Sequence, residues 1–595
     1  MPLAPRTLVR PLSRVLTVVA VVAVVGLLPW LSGRDPALTV LRGRSAEQEA
    51  TPEALAAVRE QLGLADGPLA LLVRWAGGAV RGDLGTSWVS GAEVLPGVLS
   101  ALGVSVTLMA FSFAVVLAVT AAVVAPSLAG VLRGAPRRTS GAAAAALTAL
   151  PEFLLATALL VVLAVWVGWF PPYGWSGWSS AVLPALAMGL PAGGLVGRLI
   201  ADAVATSGAE AWVTTWTAAG APRGALARGV LLRAVPPVLP QVGLVVVGLV
   251  GGAVAVERVF AIPGLGRTTL GAAQTQDLPV LQAGMLALIA LGALLGVATD
   301  LVRRLVLGRA ARAGGLVIPS SGHAVRGRDR LVPLAALVLL AALVVGGFAG
   351  DPYAADRGRL TAPSADLLLG ADASGRDLLA RLGQGAGTTI ATAVLVCLAS
   401  YVVGLLAGLT PDLTAGPVEV ANAAPPVISG LFVAAVTGPS ATGAAIAVLL
   451  VSWAPLASHT SALVAEANAQ PHVRVLPVLG VGRARALLVH VLPMVAGPVL
   501  RNAFLRLPGV ALALAGLGFL GLGPQPPTPD WGLVLAEGVP YVERAPWVVL
   551  APAASLVALS VLAVSASALA PAPRGRGRRD RRPTPAAAAP AVPTA

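Results

Sequence analysis

Side chains that could do chemistry are few in this chain, and they are scattered. One cysteine, Cys397, and four histidines, His323, His459, His472 and His490, are its whole stock of thiolate and imidazole ligands. A single thiol builds neither an intrachain disulfide nor a multi-thiolate metal site. The histidines do not fall at the close spacings that put two imidazoles on one metal. No His-Glu-x-x-His and no Gly-x-Ser-x-Gly occurs, so the signatures of a zinc-bound water and of a nucleophilic serine are missing. No metal site, no catalytic group and no cofactor is expected. All 41 basic residues are arginine. A Gly-x-x-x-x-Gly-Lys-Ser/Thr loop needs its lysine to reach the β- and γ-phosphates. A chain without lysine leaves any ATP to partner subunits.

What the polar residues do form is a pair of helix–glycine–helix segments. In the first, Thr215, Thr217 and Ala218 lead to Gly220, and Arg223, Arg228 and Arg233 follow before Pro236-Pro237. In the second, Gly480, Gly482 and Arg483 lead to His490 and Pro493. Glycine supplies the left-handed backbone of a tight turn between two helical arms. The arginines suit acidic groups of a partner or lipid phosphates. An ordinary basic loop has the same composition, and His490 alone reads as a capping or structural residue rather than a ligand.

The elements that position these segments are apolar. The chain is 56% hydrophobic and 11% charged, with a mean hydropathy of +0.84, whereas a soluble domain carries about 25% charged residues. Lipid is the solvent that fits. A span needs about 20 apolar residues, and such runs fall at roughly 14–32, 100–125, 142–169, 180–200, 237–256 and 278–302. They recur at roughly 331–349, 386–409, 418–437, 441–463, 494–517 and 546–570. The expected fold is an all-α polytopic membrane protein of about twelve helices. Two six-helix halves would lie parallel, because an even number of crossings returns the chain to its starting side.

The net charge is +14. Its arginines gather beside spans: Arg6, Arg10 and Arg14; Arg133, Arg137 and Arg138; Arg303, Arg304, Arg309 and Arg312; Arg574 to Arg582. That is the positive-inside distribution of cytoplasmic loops rather than a nucleic-acid footprint. It puts both termini in the cytoplasm of a multi-pass membrane protein. Leu28-Pro29-Trp30-Leu31 offers no small-residue cleavage site, so the first helix is expected to be retained. The expected division is a first half at 1–310, a linker at 311–330, a second half at 331–570 and a disordered basic, Pro/Ala-rich tail at 571–595. The first half holds an outer loop at about 33–97 and the glycine-turn segment at about 209–236; the second holds its own at about 469–492. Thr51-Pro52-Glu53 reads as a helix start in the outer loop, with a second short amphipathic stretch from Leu69 to Trp75.

With these motifs in view, the chain resembles the inner-membrane permeases of dipeptide, oligopeptide and nickel ABC importers, two subunit types fused into one. In the first half the resemblance rests on Leu62-Gly63-Leu64, on Arg81-Gly82-Asp83-Leu84-Gly85-Thr86-Ser87, on Thr215 to Gly220, and on Val256-Glu257-Arg258-Val259-Phe260-Ala261-Ile262-Pro263-Gly264-Leu265-Gly266. In the second half it rests on Leu369-Gly370-Ala371-Asp372-Ala373-Ser374-Gly375-Arg376-Asp377 and on Phe519 to Gly532, which includes Gly521, Gly523, Pro527, Asp530 and Trp531. It covers nearly the whole chain. It implies the type I importer permease fold and a path for peptides, nickel or a related small solute. It also implies two ABC ATPase subunits docked at the glycine turns and an extracytoplasmic substrate-binding protein.

This sequence departs from the family pattern in places. Before Gly480 stand Arg474 to Leu479 with Pro477 among them, where the family has Glu-Ala-Ala and three residues. Either a helix starts at Pro477 or the docking element is bent. Val230 and Ala234 replace the usual His and Asn. The rival reading is an ion-gradient-driven secondary transporter, for which Glu152 and Asp300 are the candidate ionisable residues.

Overall fold

A computed structural model describes residues 6–32, 37–38, 40–41, 51–61, 67–134, 151–307 and 331–569. Leu62 to Leu64, Arg137, Arg138, His323, the linker 311–330 and the tail 571–595 lie outside the described residues. Within them the chain is helical, with two isolated bridges, Thr86–Glu93 and Ala371–Asp377, in place of any strand.

The first half contains α1 (Arg6–Gly26), α2 (Pro52–Gln61), α3 (Pro68–Val80), α4 (Val94–Leu132) and α5 (Glu152–Leu159), which runs on as a π-helix over Leu160–Trp166. It continues with α6 (Ser179–Gly208), α7 (Ala211–Ala218), α8 (Arg223–Ala234), α9 (Leu239–Val259), α10 (Leu265–Thr275) and α11 (Leu278–Leu307). The second half contains α12 (Leu331–Gly347), α13 (Leu378–Leu409), α14 (Pro411–Ala423), α15 (Pro426–Thr437), α16 (Ala441–Ala469), α17 (Pro471–Val475), α18 (Leu492–Leu505), α19 (Leu507–Phe519), α20 (Trp531–Gly538) and α21 (Trp547–Leu569). Thr51 starts α2 as the sequence suggests, with the Ala54 N–H donating to its Oγ1 at 3.3 Å.

Among the described residues each apolar run holds helix, but not every run is one full span. Eight helices among the described residues are long and apolar enough to cross a membrane. Among the described residues, the third and seventh runs hold shorter apolar helices, Glu152–Trp166 and Leu331–Gly347. The ninth is broken: α14 and α15 meet at 95°, because Pro425 and Pro426 have no N–H to carry the ladder past Ala424. The eleventh is interrupted at Arg506, where Pro508 at the head of α19 cannot continue the bonds of α18.

In hydrocarbon, helices associate by close packing, and small residues let their backbones approach. Gly189, Gly193 and Gly197 recur every fourth residue along one face of α6 and receive Val115, Val119 and Val123 of α4. The second half repeats the pairing with the glycines moved to the other member. Gly404 and Gly408 of α13 receive Leu456 and Thr460 of α16.

The halves meet through equivalent ends. Arg258 at the end of α9 donates to the Phe519 carbonyl at the end of α19 at 2.8 Å, and its guanidinium lies 5.7 Å from the Phe519 ring centroid. Phe153 stacks on the same ring at 5.1 Å. The halves therefore lie parallel. They are not symmetric, however. Helix α1 crosses to the second half and packs along α14: Arg10 pairs with Asp412 at 2.7 Å, Arg14 with Glu419 at 2.6 Å, and Ser13 Oγ donates to the Leu413 carbonyl at 2.6 Å. Its counterpart α12 stays in its own half, where Gly347 faces Gly383 of α13.

A Cβ at Gly193 would stand 2.7 Å from Val119 Cβ and 3.0 Å from the Val116 carbonyl. Gly193→Val is expected to destabilise the chain by about 1–3 kcal/mol, read as a lower unfolding temperature in detergent. Gly224→Ala, where a Cβ meets nothing within 4 Å, is expected to leave it unchanged.

Candidate functional site: two glycine turns and the loops at the opposite helix ends

Helix α7 follows Glu210, whose carboxylate accepts from Trp212 Nε1 at 3.0 Å and from Arg233 Nε of α8 at 3.4 Å. That clasp ties the two arms together behind Gly220, which takes φ +74°. Val230 and Ala234 are buried, packed with Val204, Val213 and Leu226 between the arms and α6. Both side chains belong to the apolar core of the segment. The tip from Thr214 to Gly220, and Arg223 after it, stays exposed. The hydroxyls of Thr215 and Thr217 are spent on their own helix, on the Ala211 and Val213 carbonyls at 3.1 and 2.8 Å. The tip therefore offers shape and an apolar surface more than hydrogen bonds.

The second segment overturns one of the two alternatives drawn from Pro477, a helix that starts there, and agrees with the other, an element that departs from a straight helix. The helix starts earlier, with Pro471 in its first turn, and stops at Val475, since Pro477 has no N–H to give to Val473. Hydrogen-bonded turns carry the chain on: Gly480 N donates to Pro477 O at 3.2 Å and Val481 N to Leu476 O at 3.0 Å. Gly480 takes φ +77°, so the glycine turn is kept although the helix before it is cut short. Gly482 is exposed, Arg483 opens the next helical turn, and a π-helix spans Ala486–Val491. His490 is half-buried in that π-helix and makes no side-chain hydrogen bond among the described residues. The shortened tip exposes large apolar groups, Val478 at 85% and Leu479 at 70%, where the first tip has Ala218 and Ala219.

At the opposite helix ends the loop motifs are structural ties. Glu257 is fully buried at the N-terminus of α10. It accepts from the Arg267 N–H at 2.9 Å and from Ser105 Oγ of α4 at 2.5 Å, and Ser105 in turn accepts from the Leu265 N–H at 2.8 Å. A Cβ at Gly264 or Gly266 would overlap or crowd this carboxylate, which explains the glycines that follow Pro263. Asp83 caps its turn through the Gly85 N–H at 2.9 Å. Asp277 fastens the same loop, accepting from Ser87 Oγ and, at 3.0 Å, from the Trp88 N–H.

In the second half Asp372 accepts from Arg376 Nε and Arg381 Nη1, each at 2.7 Å, and Arg381 also donates to Glu537 at 2.7 Å. Gly375 takes φ +81° against the Arg357 carbonyl. Asp377 caps α13 at the Leu379 N–H at 2.8 Å, and Asp530 caps α20 at the Gly532 N–H at 3.0 Å. Trp531 is buried with Nε1 on the Leu382 carbonyl at 2.7 Å. Gly521 takes φ +76°, Gly523 packs on Gly518, and Pro527 is exposed. Sequence reading missed Asp277, Ser105 and Glu537. Ser105 sits inside an apolar helix, Asp277 ends the polar run Gln274 to Asp277, and Glu537 lies near the end of an apolar helix; only the fold shows what each meets.

The comparisons bear on both halves. Residues 122–312 and 400–570 each match the binding-protein-dependent transport system inner membrane component family, and the chain belongs to that family. It is the permease of an ABC importer with two permease units in one polypeptide, a transport protein that spans the membrane many times. The di/tripeptide transport system permease protein DppC of Pseudomonas aeruginosa is 37% identical over 221 residues, 35% of this chain and 72% of that protein. The dipeptide transport system permease protein DppC of Escherichia coli is 33% identical over 204 residues, 33% of this chain and 68% of that protein. That of Alkalihalophilus pseudofirmus is 28% identical over 206 residues, with 33% and 68% covered.

Burial pushes the Asp372 carboxyl up, but the Arg376 N–H and the charges of Arg381 and Arg376 outweigh it and hold it below the usual range. Stability from this group is therefore present above the unfolded pKa of about 3.9 and is lost as pH falls through the lower folded value. Asp372→Asn leaves the buried Arg381 with Glu537 as its one carboxylate partner, a loss of about 1–3 kcal/mol, the scale of removing a hydrogen-bond partner from a charged group. Thermal unfolding of the purified chain between pH 7 and pH 3 is expected to show both the lower stability and a weaker acid dependence.

Proposed function

We propose that this chain carries small peptides across the inner membrane, driven by two separate ABC ATPase subunits that dock beneath Gly220 and Gly480. ATP is bound by those partners, since the chain has no lysine for a phosphate loop. An extracytoplasmic binding protein delivers substrate at the end formed by the Glu257, Asp372 and Asp530 loops. Both termini and both glycine turns face the cytoplasm. The relatives' names supply the substrate class; the paired exposed turns carry the mechanism. The first tip bonds its Thr215 and Thr217 hydroxyls within its own helix, the second exposes Val478 and Leu479, and both lie at the end of the helix pairs α4–α6 and α13–α16. Closure of the ATPases would move those pairs as rigid bodies and switch the path between inward-open and outward-open. One polypeptide also fixes the ratio of the two permease units and their effective concentration.

The exposed Val478 and Leu479 support docking at the second turn despite its short helix, because a bare apolar tip is stable in water only when covered. An ion-gradient mechanism finds less support: Asp300 is held by Arg303 at 2.5 Å and Arg304 at 2.6 Å. In a complex reconstituted with its ATPases and binding protein, Val478→Asp with Leu479→Asp is expected to cut binding-protein-stimulated ATP hydrolysis by roughly tenfold or more, as desolvating a charge in an apolar interface costs several kcal/mol. Gly220→Pro is expected to act likewise, since proline cannot take φ +74°. Unchanged stimulation in both variants would refute docking at these turns, and peptide uptake in ATP-depleted vesicles under a proton gradient would favour the rival.

A further inference from the structure

Between α13, α16 and the breaks of the ninth and eleventh spans lies a cavity of about 230 Å³ lined by Cys397, Ser400, Pro426, Ser452, Arg506 and Gly509. Arg506 stands at the junction of α18 and α19, midway along the eleventh apolar run, and is an exposed residue that lines the cavity. Among the described residues its only side-chain hydrogen bond is from Nε to Asn502 Oδ1 at 3.2 Å, and no carboxylate pairs with it. Guanidinium keeps its charge and carries five donors. Such a group is costly within hydrocarbon and marks a ligand path by default. A second observation comes from Ser400. Its hydroxyl is 1% exposed, lines the same cavity and has no hydrogen-bond partner.

We propose that this cavity is an anion subsite that takes the terminal carboxylate of a small peptide on its way through the second half; the identity of that ligand rests on the substrate reading above. A carboxylate has two oxygens that accept the planar guanidinium fork side by side, with lone pairs left for a serine hydroxyl. The two helix breaks at Ala424 and Arg506 open room for it. When Gly220 is aligned with Gly480, the first half has Val246 where the second has Arg506, so each fused chain carries one such subsite.

Cys397 is the chain's single thiol and lines the cavity, which makes it a native reporter. Its modification rate is measured in the purified full chain with anionic sulfonatoethyl and cationic trimethylammonioethyl methanethiosulfonate. The anionic reagent is expected to react faster, and Arg506→Gln to slow it by roughly tenfold or more while Arg506→Lys preserves the preference. Alanyl-alanine is expected to protect Cys397, and its C-terminal amide not to. Equal rates for the two reagents, or no reaction with either, would overturn the subsite. Protection by inorganic phosphate alone would overturn the carboxylate assignment in favour of a phosphate or lipid headgroup. An anionic preference in a chain whose reconstituted complex takes up no peptide would refute the substrate reading while leaving the anion subsite standing.

Discussion

A backbone solvated by hydrocarbon has no water to fall back on, so its N–H and C=O groups must pair within helices or against neighbouring protein. That constraint organises this molecule. Carboxylates at the helix ends are used as caps and clasps, as at Glu257, Asp377 and Asp530. Where the ladder of the ninth span breaks, at Ala424, protein of the other half packs against the break. Pro425 is pressed against Gly251 of the first half, and the Ala423 carbonyl faces Gly292. The ninth span is thus a seam between halves rather than a simple crossing.

The same constraint explains how two units become one permease. Burial of apolar surface gives helices in lipid little reason to prefer each other to lipid tails, so association rests on close approach and a few polar ties. The Arg258–Phe519 bond joins the halves at one end, and the contacts of α1 with α14 join them at the other. The exposed ion pairs in that second set are worth at most about 1 kcal/mol each; the close seat of Gly416 against the Ser13 backbone provides the packing. Glycine stripes on α6 in one half and on α13 in the other show that the two units reached the same helix pairing by different placements of small residues.

Much of this was legible in the sequence because hydrocarbon allows so few solutions. Apolar runs located every long helix, and the glycines at 220 and 480 marked turns that the structure confirms as left-handed. Element length and continuity were less legible: hydropathy does not register the missing N–H groups of Pro425, Pro426 and Pro508. The loop motifs were visible as sequence without their contacts, since the fit of Gly264 to Glu257 and the pairing of Arg381 with Glu537 depend on the fold. Arg506 went unnoticed because one arginine in an apolar run says nothing about the cavity it faces.

Coupling of both glycine turns to partners on one side requires like orientation of the two halves. Ala218→Cys and Val478→Cys, each made in a Cys397→Ser chain, can be probed with a membrane-impermeant thiol label in right-side-out and inverted vesicles. Both positions are predicted to react in inverted vesicles and in neither case from outside the cell. Labelling of the two from opposite faces would contradict it.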